Sequence, residues 1–292
     1  RTAFSVRLAM PVTADDAQAG YPILVEALTA FSATGRTNNK SYLTPSAHQD
    51  RQLAMLFSCQ GGQRVAMGKE LYGQPGLETF TMAFDAAVKC FDACLGGSLT
   101  DVIWGAEIDG DIKRLHKTQY TQPALFTLEI ALYRQWEFWG VVPNLLLGHS
   151  IGELAAAHVA GVLSLKDAAT LVTAHGRLLG GVTSSLSESL TAQENHIDSM
   201  LENFSTVAKQ LTFHPPHISV VSSVTGKVAD TNNGDLITVD YWVRHVQQAV
   251  RNVEGDQTLR FEDGVQTLVD TGVTTFLECG PVNVLCALAK DC

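Results

Sequence analysis

The sequence predicts an α/β fold in which a mostly parallel sheet is covered by helices on both faces. From Leu53 onward, short apolar segments alternate with longer segments of helical periodicity, which is the order of strands joined by crossover helices. Most of the short segments are apolar along their whole length, as is typical of strands buried on both sides. No internal repeat is present, so we expect one large domain with a smaller appendage.

The first 48 residues differ from the rest and predict a small α+β unit. They contain a strand, an amphipathic helix and a polar linker, which are "AFSVRLAMPV", "YPILVEALTAFSATG" and "RTNNKSYLTPS" in that order. We therefore expect one domain over residues 1–48 and a second over residues 49–292. The chain begins with Arg1 rather than Met, which indicates a piece of a longer protein.

The predicted core begins with the strand "LAMLFS" and the glycine-containing loop "CQGGQ". Three helices are predicted next, "RVAMGKELY", "LETFTMAFDAAVKCFDACL" and "QPALFTLEIALYRQWEFWG", the last with one wide apolar face. The strand "NLLLG", two helices and a Ser/Thr-rich loop, "VTSSLSESLTAQ", follow. After the helix "IDSMLENFSTVAKQL", the strands "HISVVSS" and "VTTFLEC" enclose the helix "TLRFEDGVQTLVDTG", and "VNVLCALAK" is the last predicted helix.

Composition excludes several classes of function. With 292 residues, 46% of them hydrophobic and 17% charged, the chain is typical of a soluble globular protein. A formal net charge of −10 disfavours non-specific binding to nucleic acid or anionic membranes, although a single basic pocket for a phosphorylated ligand is compatible with it. We find no transmembrane segment. Six cysteines without a C-x-x-C pair predict neither a disulfide scaffold nor a metal site and favour the reducing cytoplasm.

One stretch, "LLLGHSIGELAAAHVAGVLS", has the pattern G-x-S-x-G where a predicted strand meets a helix. In that context the pattern is typical of a nucleophile elbow, in which Gly148 and Gly152 relieve crowding around the exposed Ser150. The backbone N–H of Ile151 and that of Gln60, in the loop "CQGGQ", are then expected to stabilise an oxyanion. The alternative is that the serine only caps the helix and that the glycines serve packing.

The motifs around the elbow resemble a known family. In order they are "FSCQGGQ…MGKELY", "TQYTQPALFTLEIAL", "GHSIGELAAAHVAGVLSLKDAATLV", "ISVVSSVTGKV", "DYWVRHV" and "FEDGVQTLVDTGVTTFLECGPVNVL". Together they resemble the acyltransferase domain of a modular type I polyketide synthase, in the malonyl-CoA:acyl-carrier-protein transacylase family. The resemblance covers about residues 52–182 and 197–289. Residues 1–48 resemble the linker between a ketosynthase and such a domain.

The resemblance implies an α/β-hydrolase-like core with an inserted ferredoxin-like subdomain. It implies that Ser150 takes a malonyl-type acyl group from coenzyme A and passes it to the phosphopantetheine thiol of an acyl carrier protein. Gln60 and Ile151 match the oxyanion-hole positions, and His149 matches a residue of the substrate site with a structural role. Acyl-CoA is then a substrate and no cofactor or metal is permanently bound. The implied partners are the carrier protein and a ketosynthase domain of the same polypeptide.

Three departures from the family bear on activity. The family's catalytic histidine aligns with Gln193, which cannot accept and return a proton, and His196 lies three residues further on. The arginine that binds the malonyl carboxylate aligns with His175, which cannot form the bidentate guanidinium contact. The inserted subdomain is reduced to about residues 181–195, so one wall of the substrate cleft is missing.

Two functions therefore remain open. In the first, the chain is an acyltransferase in which Ser150 is the nucleophile and His196 is the base. In the second, it is an inactive acyltransferase-like domain with a structural or carrier-docking role. A stand-alone esterase is disfavoured, because His245 precedes Asp270 and a hydrolase of this type has its acid before its histidine.

Overall fold

The structure is a computed structural model, and it describes residues 6–9, 42–45, 52–105, 114–185, 190–253 and 260–290. The chain divides into two compact units, residues 1–51 and residues 52–292. Each unit is described by itself.

In the first unit, strand β1 (Val6–Ala9) pairs antiparallel with strand β2 (Tyr42–Pro45). Strand β2 lies within the segment that we predicted to be a polar linker, so that prediction is wrong for these four residues. Tyr, Leu and Thr in "YLTP" favour extended structure once a partner strand is available. The predicted amphipathic helix "YPILVEALTAFSATG" lies outside the described residues.

The second unit is built on a sheet that contains, among the described residues, four parallel strands: β3 (Gln52–Phe57), β4 (Leu145–Gly148), β5 (Ser219–Val221) and β6 (Val273–Cys279). Their order across the sheet is β5-β4-β3-β6, and every neighbouring pair is parallel. The predicted α/β class is confirmed.

Helices connect these strands. Those in the described residues are α1 (Glu78–Leu95), α2 (Leu99–Trp104), α3 (Thr118–Phe138), α4 (Ile151–Val159), α5 (Leu165–Ser185), α6 (Leu190–Ala208), α7 (Val239–Val253), α8 (Phe261–Asp270) and α9 (Val284–Leu288). None of the helices in these ranges is both long and apolar enough to span a membrane.

Both faces of the sheet are covered. Met55 and Phe57 of β3 point into a large core that also contains side chains of α1 to α7, whereas Ala54 and Leu56 point into a smaller core with α8 and α9. This alternation follows from the two-residue period of a strand. Helix α3 is buried on all sides over residues 121–131, so it is the central helix of the large core and not the one-sided amphipathic helix that its pattern predicted.

The segment "RVAMGKELY", residues 64–72, forms successive turns and not the predicted helix. Ala66 and Gly68 have φ values of 61° and 76°, and left-handed residues interrupt a right-handed helix. The turns are held by hydrogen bonds such as Lys69 N to Ala66 O, at 3.0 Å. The indole Nε1 of Trp104 also donates to Met67 O at 3.0 Å, so tertiary contacts override the local helical preference.

The Ser/Thr-rich interval is mostly helical and not the loop that we predicted. Helix α5 continues to Ser185 and α6 begins at Leu190, so only residues 186–189 between them are outside the description. The two helices pack closely, since a Cβ added to Gly181 would lie 2.5 Å from Met200 Sδ. Packing between helices outweighs the modest helix propensity of Ser and Thr. Four residues leave no room for a ferredoxin-like subdomain between the two helices.

The carboxyl ends of the parallel strands meet at one edge of the sheet. The loop that follows β3 and the junction that follows β4 are linked there by a hydrogen bond from His149 N to Phe57 O, at 3.2 Å. The loop after β6 joins them, because a Cβ on Gly62 would lie 2.6 Å from Val282 Cγ2. In open α/β sheets, ligands bind at this edge.

We expect Gly152→Ala to destabilise the protein by about 3 kcal/mol, because the added Cβ would lie 2.2 Å from the carbonyl oxygen of Phe57 and two backbones would have to separate. Urea unfolding measures the change. Gly97→Ala is the matched control, since a Cβ there meets nothing within 4 Å. Equal stability of the two variants would contradict the close approach of α4 to the sheet.

Candidate active site

Ser150 occupies the sharp junction between β4 and α4. Its φ and ψ are 56° and −115°, a conformation that is strained for any residue with a side chain. Such strain persists only when the surrounding structure enforces it. The strain, the strand before it and the helix after it are the features expected of a nucleophile elbow.

Two glycines enforce this conformation. A Cβ on Gly148 would lie 2.1 Å from the carbonyl carbon of Gly152, and a Cβ on Gly152 would lie 2.2 Å from Phe57 O. Both distances are far below van der Waals contact, so only glycine fits at either position. The helix is therefore pressed against the ends of β3 and β4, and the serine is forced outward.

The side chain of Ser150 does not cap its helix. No hydrogen bond joins its hydroxyl to the first turn of α4, and the residue is half-buried. A capping serine would have extended backbone and would accept a bond from the helix. The simpler interpretation, that Ser150 is only a helix cap, is therefore not supported.

The two expected oxyanion donors lie at the same edge of the sheet. Ile151 is the first residue of α4, so its N–H has no acceptor within the helix and carries the positive end of the helix dipole. Gln60 is an exposed residue in the turn after β3. The next residue, Gly61, has a φ of 129°, and its N–H donates to Gln63 Oε1 at 2.7 Å. A left-handed glycine and an internal hydrogen bond fix the path of this loop.

A buried carboxyl group, that of Glu129, is hydrogen-bonded to the start of the loop after β3. Ser58, two residues before Gln60, donates to Glu129 Oε1 at 2.6 Å. Burial raises the pKa of Glu129 well above its ordinary value, and the hydrogen bond from Ser58 opposes this only in part. Burial therefore favours the protonated form of Glu129 relative to an exposed glutamate. Burial also raises the pKa of Cys59, so its thiol is a poor competitor of the serine for an acyl group.

A second buried carboxyl group, that of Glu153, joins three elements one turn after Ser150. It accepts hydrogen bonds from the N–H of Ser223, at 3.2 Å, from the hydroxyl of Ser223, and from the hydroxyl of Tyr241. His245 Nε2 lies 3.1 Å from Glu153 Oε2, although the angle there is not that of a hydrogen bond. Burial, followed by Glu153, raises the pKa of Tyr241 well above its usual value, so the phenol keeps the proton that it donates.

Two further histidines lie close to this group. Burial, and then His245, lowers the pKa of His149, and the same two causes lower the pKa of His175 well below its usual value. Both are therefore neutral at pH 7. His175 Nδ1 lies 2.8 Å from Gln122 Oε1, and its ring centroid is 5.5 Å from that of His245. The described residues contain no group of three or more His, Cys, Asp or Glu arranged to bind a metal.

His175, which occupies the position of the family's arginine, is thus an uncharged imidazole. His175 is fully buried, and its ring lies 6.3 Å from that of Phe204. The neighbouring Arg177 is exposed and donates to Cys94 O at 2.9 Å, so it does not replace the missing guanidinium. A carboxylate placed against His175 would meet neither a positive charge nor a bidentate donor.

His196 lies on α6. It is exposed, and its Nε2 is 3.8 Å from the Cβ position of Gly181 on α5. No hydrogen bond between His196 and Ser150 is found within the described ranges. Gln193 is also on α6, but its side chain lies outside the described residues.

Sequence reasoning missed two parts of the site. Glu153 lies within the motif that contains Ser150, but its partners follow 70 and 88 residues later at Ser223 and Tyr241. His245 was considered only as part of a hydrolase triad. A glutamate within an otherwise apolar helix was the available signal, because a buried carboxylate needs several donors.

Comparison with known proteins identifies similar chains. Residues 54–195 match the family model described as "Acyl transferase domain". The spectinabilin polyketide synthase system protein NorB of Streptomyces orinoci is 36% identical, over 91% of this chain and 14% of that protein. The chain spans 14%, 4% and 16% of three curated relatives that it matches, so it corresponds to a small part of each.

Solved structures agree with this similarity. The acyltransferase domain from the second module of the salinomycin polyketide synthase is 32% identical, with a TM-score of 0.74, and the match covers 99% of this chain and 76% of that one. A malonyl-transacylase in complex with a type II polyketide synthase acyl-carrier protein has a TM-score of 0.62 at 21% identity, over 82% of this chain and 92% of that one. At 21% identity, this second similarity shows a common fold and nothing further.

We expect Glu129→Gln to gain stability over the wild type as the pH rises from 5 to 7. Burial raises the pKa of Glu129 in the folded protein, whereas the unfolded chain ionises this residue above the ordinary glutamate pKa of about 4.3. Wild-type folding therefore takes up a proton, and its free energy of unfolding falls with pH until the raised pKa is reached. The difference between variant and wild type should grow by up to about 1.4 kcal/mol per pH unit.

Urea unfolding at several pH values measures this difference. Glu262→Gln, which removes an exposed carboxylate on α8, is the matched control for the change in charge. A difference between Glu129→Gln and the wild type that does not vary with pH would show that Glu129 is ionised in the folded protein.

Proposed function

The chain belongs to the family of polyketide synthase acyltransferase domains, and on that premise we propose that Ser150 carries an acyl group from acyl-CoA to the thiol of a carrier protein. The main support for this proposal is the conformation of Ser150. Its backbone has a φ of 56° and a ψ of −115°, and its side chain makes no capping hydrogen bond. A strained and uncapped serine at a helix start is of no advantage to stability. Its value lies in presenting the hydroxyl to a ligand.

The proposed reaction has two half-reactions. In the first, Ser150 Oγ attacks the thioester carbonyl, its proton passes to the base, the C–S bond breaks, and coenzyme A leaves as the thiol after taking that proton. In the second, the carrier thiol gives its proton to the base and attacks the ester. The C–O bond then breaks and the serine regains the proton. The N–H groups of Ile151 and Gln60 stabilise the oxyanion of both tetrahedral intermediates.

We propose His196 as the base, because it lies three residues from the family's position in the sequence. No hydrogen bond joins it to Ser150 in the described ranges, so this role requires His196 to approach Ser150 when the substrate is bound. Its exposure on α6 is compatible with proton exchange with water. A general base of this kind contributes about 10²- to 10⁴-fold to the rate.

The substrates follow from the same premise. Acyl-CoA is the donor, a phosphopantetheine-bearing carrier protein is the acceptor, and no cofactor is permanently bound. Neutral His175 in place of an arginine favours an acyl group without a distal carboxylate over a malonyl-type group. The solved complex of a malonyl-transacylase with a carrier protein supports the assignment of the partner. We also propose that residues 1–48 join the domain to a ketosynthase of the same cytoplasmic polypeptide.

A second candidate function is an inactive domain that supports its neighbours or docks the carrier. Neutral, fully buried His175 and the Gln193 position favour it, because both family residues that act on the substrate are absent. The two candidate functions share the same fold and differ in whether Ser150 transfers an acyl group.

Transfer from acetyl-CoA and malonyl-CoA to a phosphopantetheinylated carrier domain, followed by mass spectrometry of the carrier, tests the proposal. We expect transfer by the wild type, faster with acetyl-CoA, and a loss of at least about 10³-fold in Ser150→Ala. His196→Ala should lower kcat by about 10²-fold, leave KM unchanged and remove an inflexion from the pH–rate profile.

The matched control is His214→Ala, which removes another exposed histidine. Equal rates for His196→Ala and His214→Ala would remove His196 from the mechanism. Transfer that survives Ser150→Ala would contradict the nucleophile. No transfer by the folded wild type with either donor would leave the inactive domain as the function.

A further inference from the structure

A cleft of about 540 Å³ lies beside the carboxyl end of β5. Its walls are the loop after β5, the exposed side of α7 and the start of α8, and it includes Val224, Thr225 and Gln247. Four cationic side chains also line it: Lys227, Arg244, Arg251 and Arg260. All four are exposed. On a chain with a net charge of −10, this concentration of positive charge is unusual.

Two of these four cations lie close to a carboxylate. Arg260 Nε lies 2.5 Å from Asp263 Oδ2, and Arg244 Nη2 lies 3.9 Å from Asp235 Oδ1. Within the described ranges, no carboxylate lies within 4.0 Å of the Lys227 or Arg251 nitrogens. The cleft therefore keeps an excess of positive charge, and concave surfaces concentrate such a field.

The cleft is connected to the nucleophile through short contacts. The N–H of Arg260 donates to Ser223 O at 3.1 Å, and Ser223 is bonded to Glu153, one turn after the serine. The next residue, Phe261, packs its ring 5.7 Å from that of His149, which precedes Ser150. One wall of the cleft is thus in contact with the residues that hold the elbow.

We propose that this cleft binds the phosphate at the far end of the pantetheine arm, an inference that rests on the proposed function. Coenzyme A carries a diphosphate and a 3′-phosphate, and a carrier protein carries a phosphodiester, so both have phosphate separated from the thioester by pantetheine. Guanidinium groups bind phosphate oxygens bidentately and lysine adds a point charge. A phosphate site belongs at a rim connected to the nucleophile, as here, because the arm separates the two groups.

The kinetic test compares Lys227→Gln/Arg251→Gln with the control pair Lys166→Gln/Lys209→Gln, which removes two exposed lysines elsewhere. We expect the cleft pair to raise KM for acetyl-CoA about tenfold with kcat unchanged, and to leave KM for acetyl-pantetheine, which lacks phosphate, unchanged. The wild-type KM for acetyl-CoA should also rise more steeply with salt than that of the variant.

The two sources of phosphate are separated by varying donor and acceptor. An increase in KM for acetyl-CoA alone assigns the cleft to the coenzyme, and an increase for the phosphopantetheinylated carrier alone assigns it to the carrier. Dephospho-coenzyme A, used as its acetyl thioester, tests the 3′-phosphate separately. Cleft and control pairs with equal KM values for both substrates would overturn the proposal.

A binding experiment tests the cleft even if the protein does not transfer an acyl group. Calorimetric titration of coenzyme A into Ser150→Ala needs no acylation. We expect Lys227→Gln/Arg251→Gln in the Ser150→Ala background to weaken binding about tenfold relative to the control pair, and pantetheine to bind all three proteins equally. Tight binding of coenzyme A by a wild type that transfers no acyl group would contradict the proposed function but not the assignment of the cleft as a phosphate site. Equal affinities in cleft and control pairs would contradict the cleft alone.

Discussion

The close approach of Gly152 to the carbonyl of Phe57 is the constraint on which the site depends. A Cβ at this position would lie 2.2 Å from that oxygen, so α4 can begin only where two glycines allow its backbone to touch the sheet. The same contact sets the direction of the helix, and with it the N–H of Ile151. It also forces Ser150 to a φ of 56°. Packing, strain and the proposed chemistry therefore have one cause.

Two buried carboxyl groups hold this arrangement in different ways. Glu153 is surrounded by donors from the β5 loop and α7, and it fixes the first turn of α4 to both. Glu129 has only Ser58 as a donor among the described residues, and burial raises its pKa well above the ordinary value. The two groups therefore differ in the number of donors that reach them, and a buried carboxyl group is less costly where several donors do so.

Local patterns predicted much of the fold and the sharp strand-to-helix junction at Ser150, but they failed where contacts between distant residues decide the structure. The G-x-S-x-G pattern between a strand and a helix was sufficient to predict this junction, because the glycines that enforce its backbone conformation lie within five consecutive residues. The segment 64–72 has helical composition, yet Ala66 adopts a φ of 61° because tertiary contacts hold it. The partners of Glu153 and the cations of the cleft are scattered between residues 223 and 260, so no local window could bring them together.

Mapping the acyl group on the protein identifies the nucleophile directly. The chain would be incubated with acetyl-CoA in the absence of a carrier, digested, and the peptides sequenced by mass spectrometry. The structure predicts an acetyl ester on the peptide that contains Ser150, since the raised pKa of Cys59 makes its thiol a poor nucleophile. An acetyl group on Cys59 with Ser150 unmodified, or no covalent adduct on a folded protein, would contradict it.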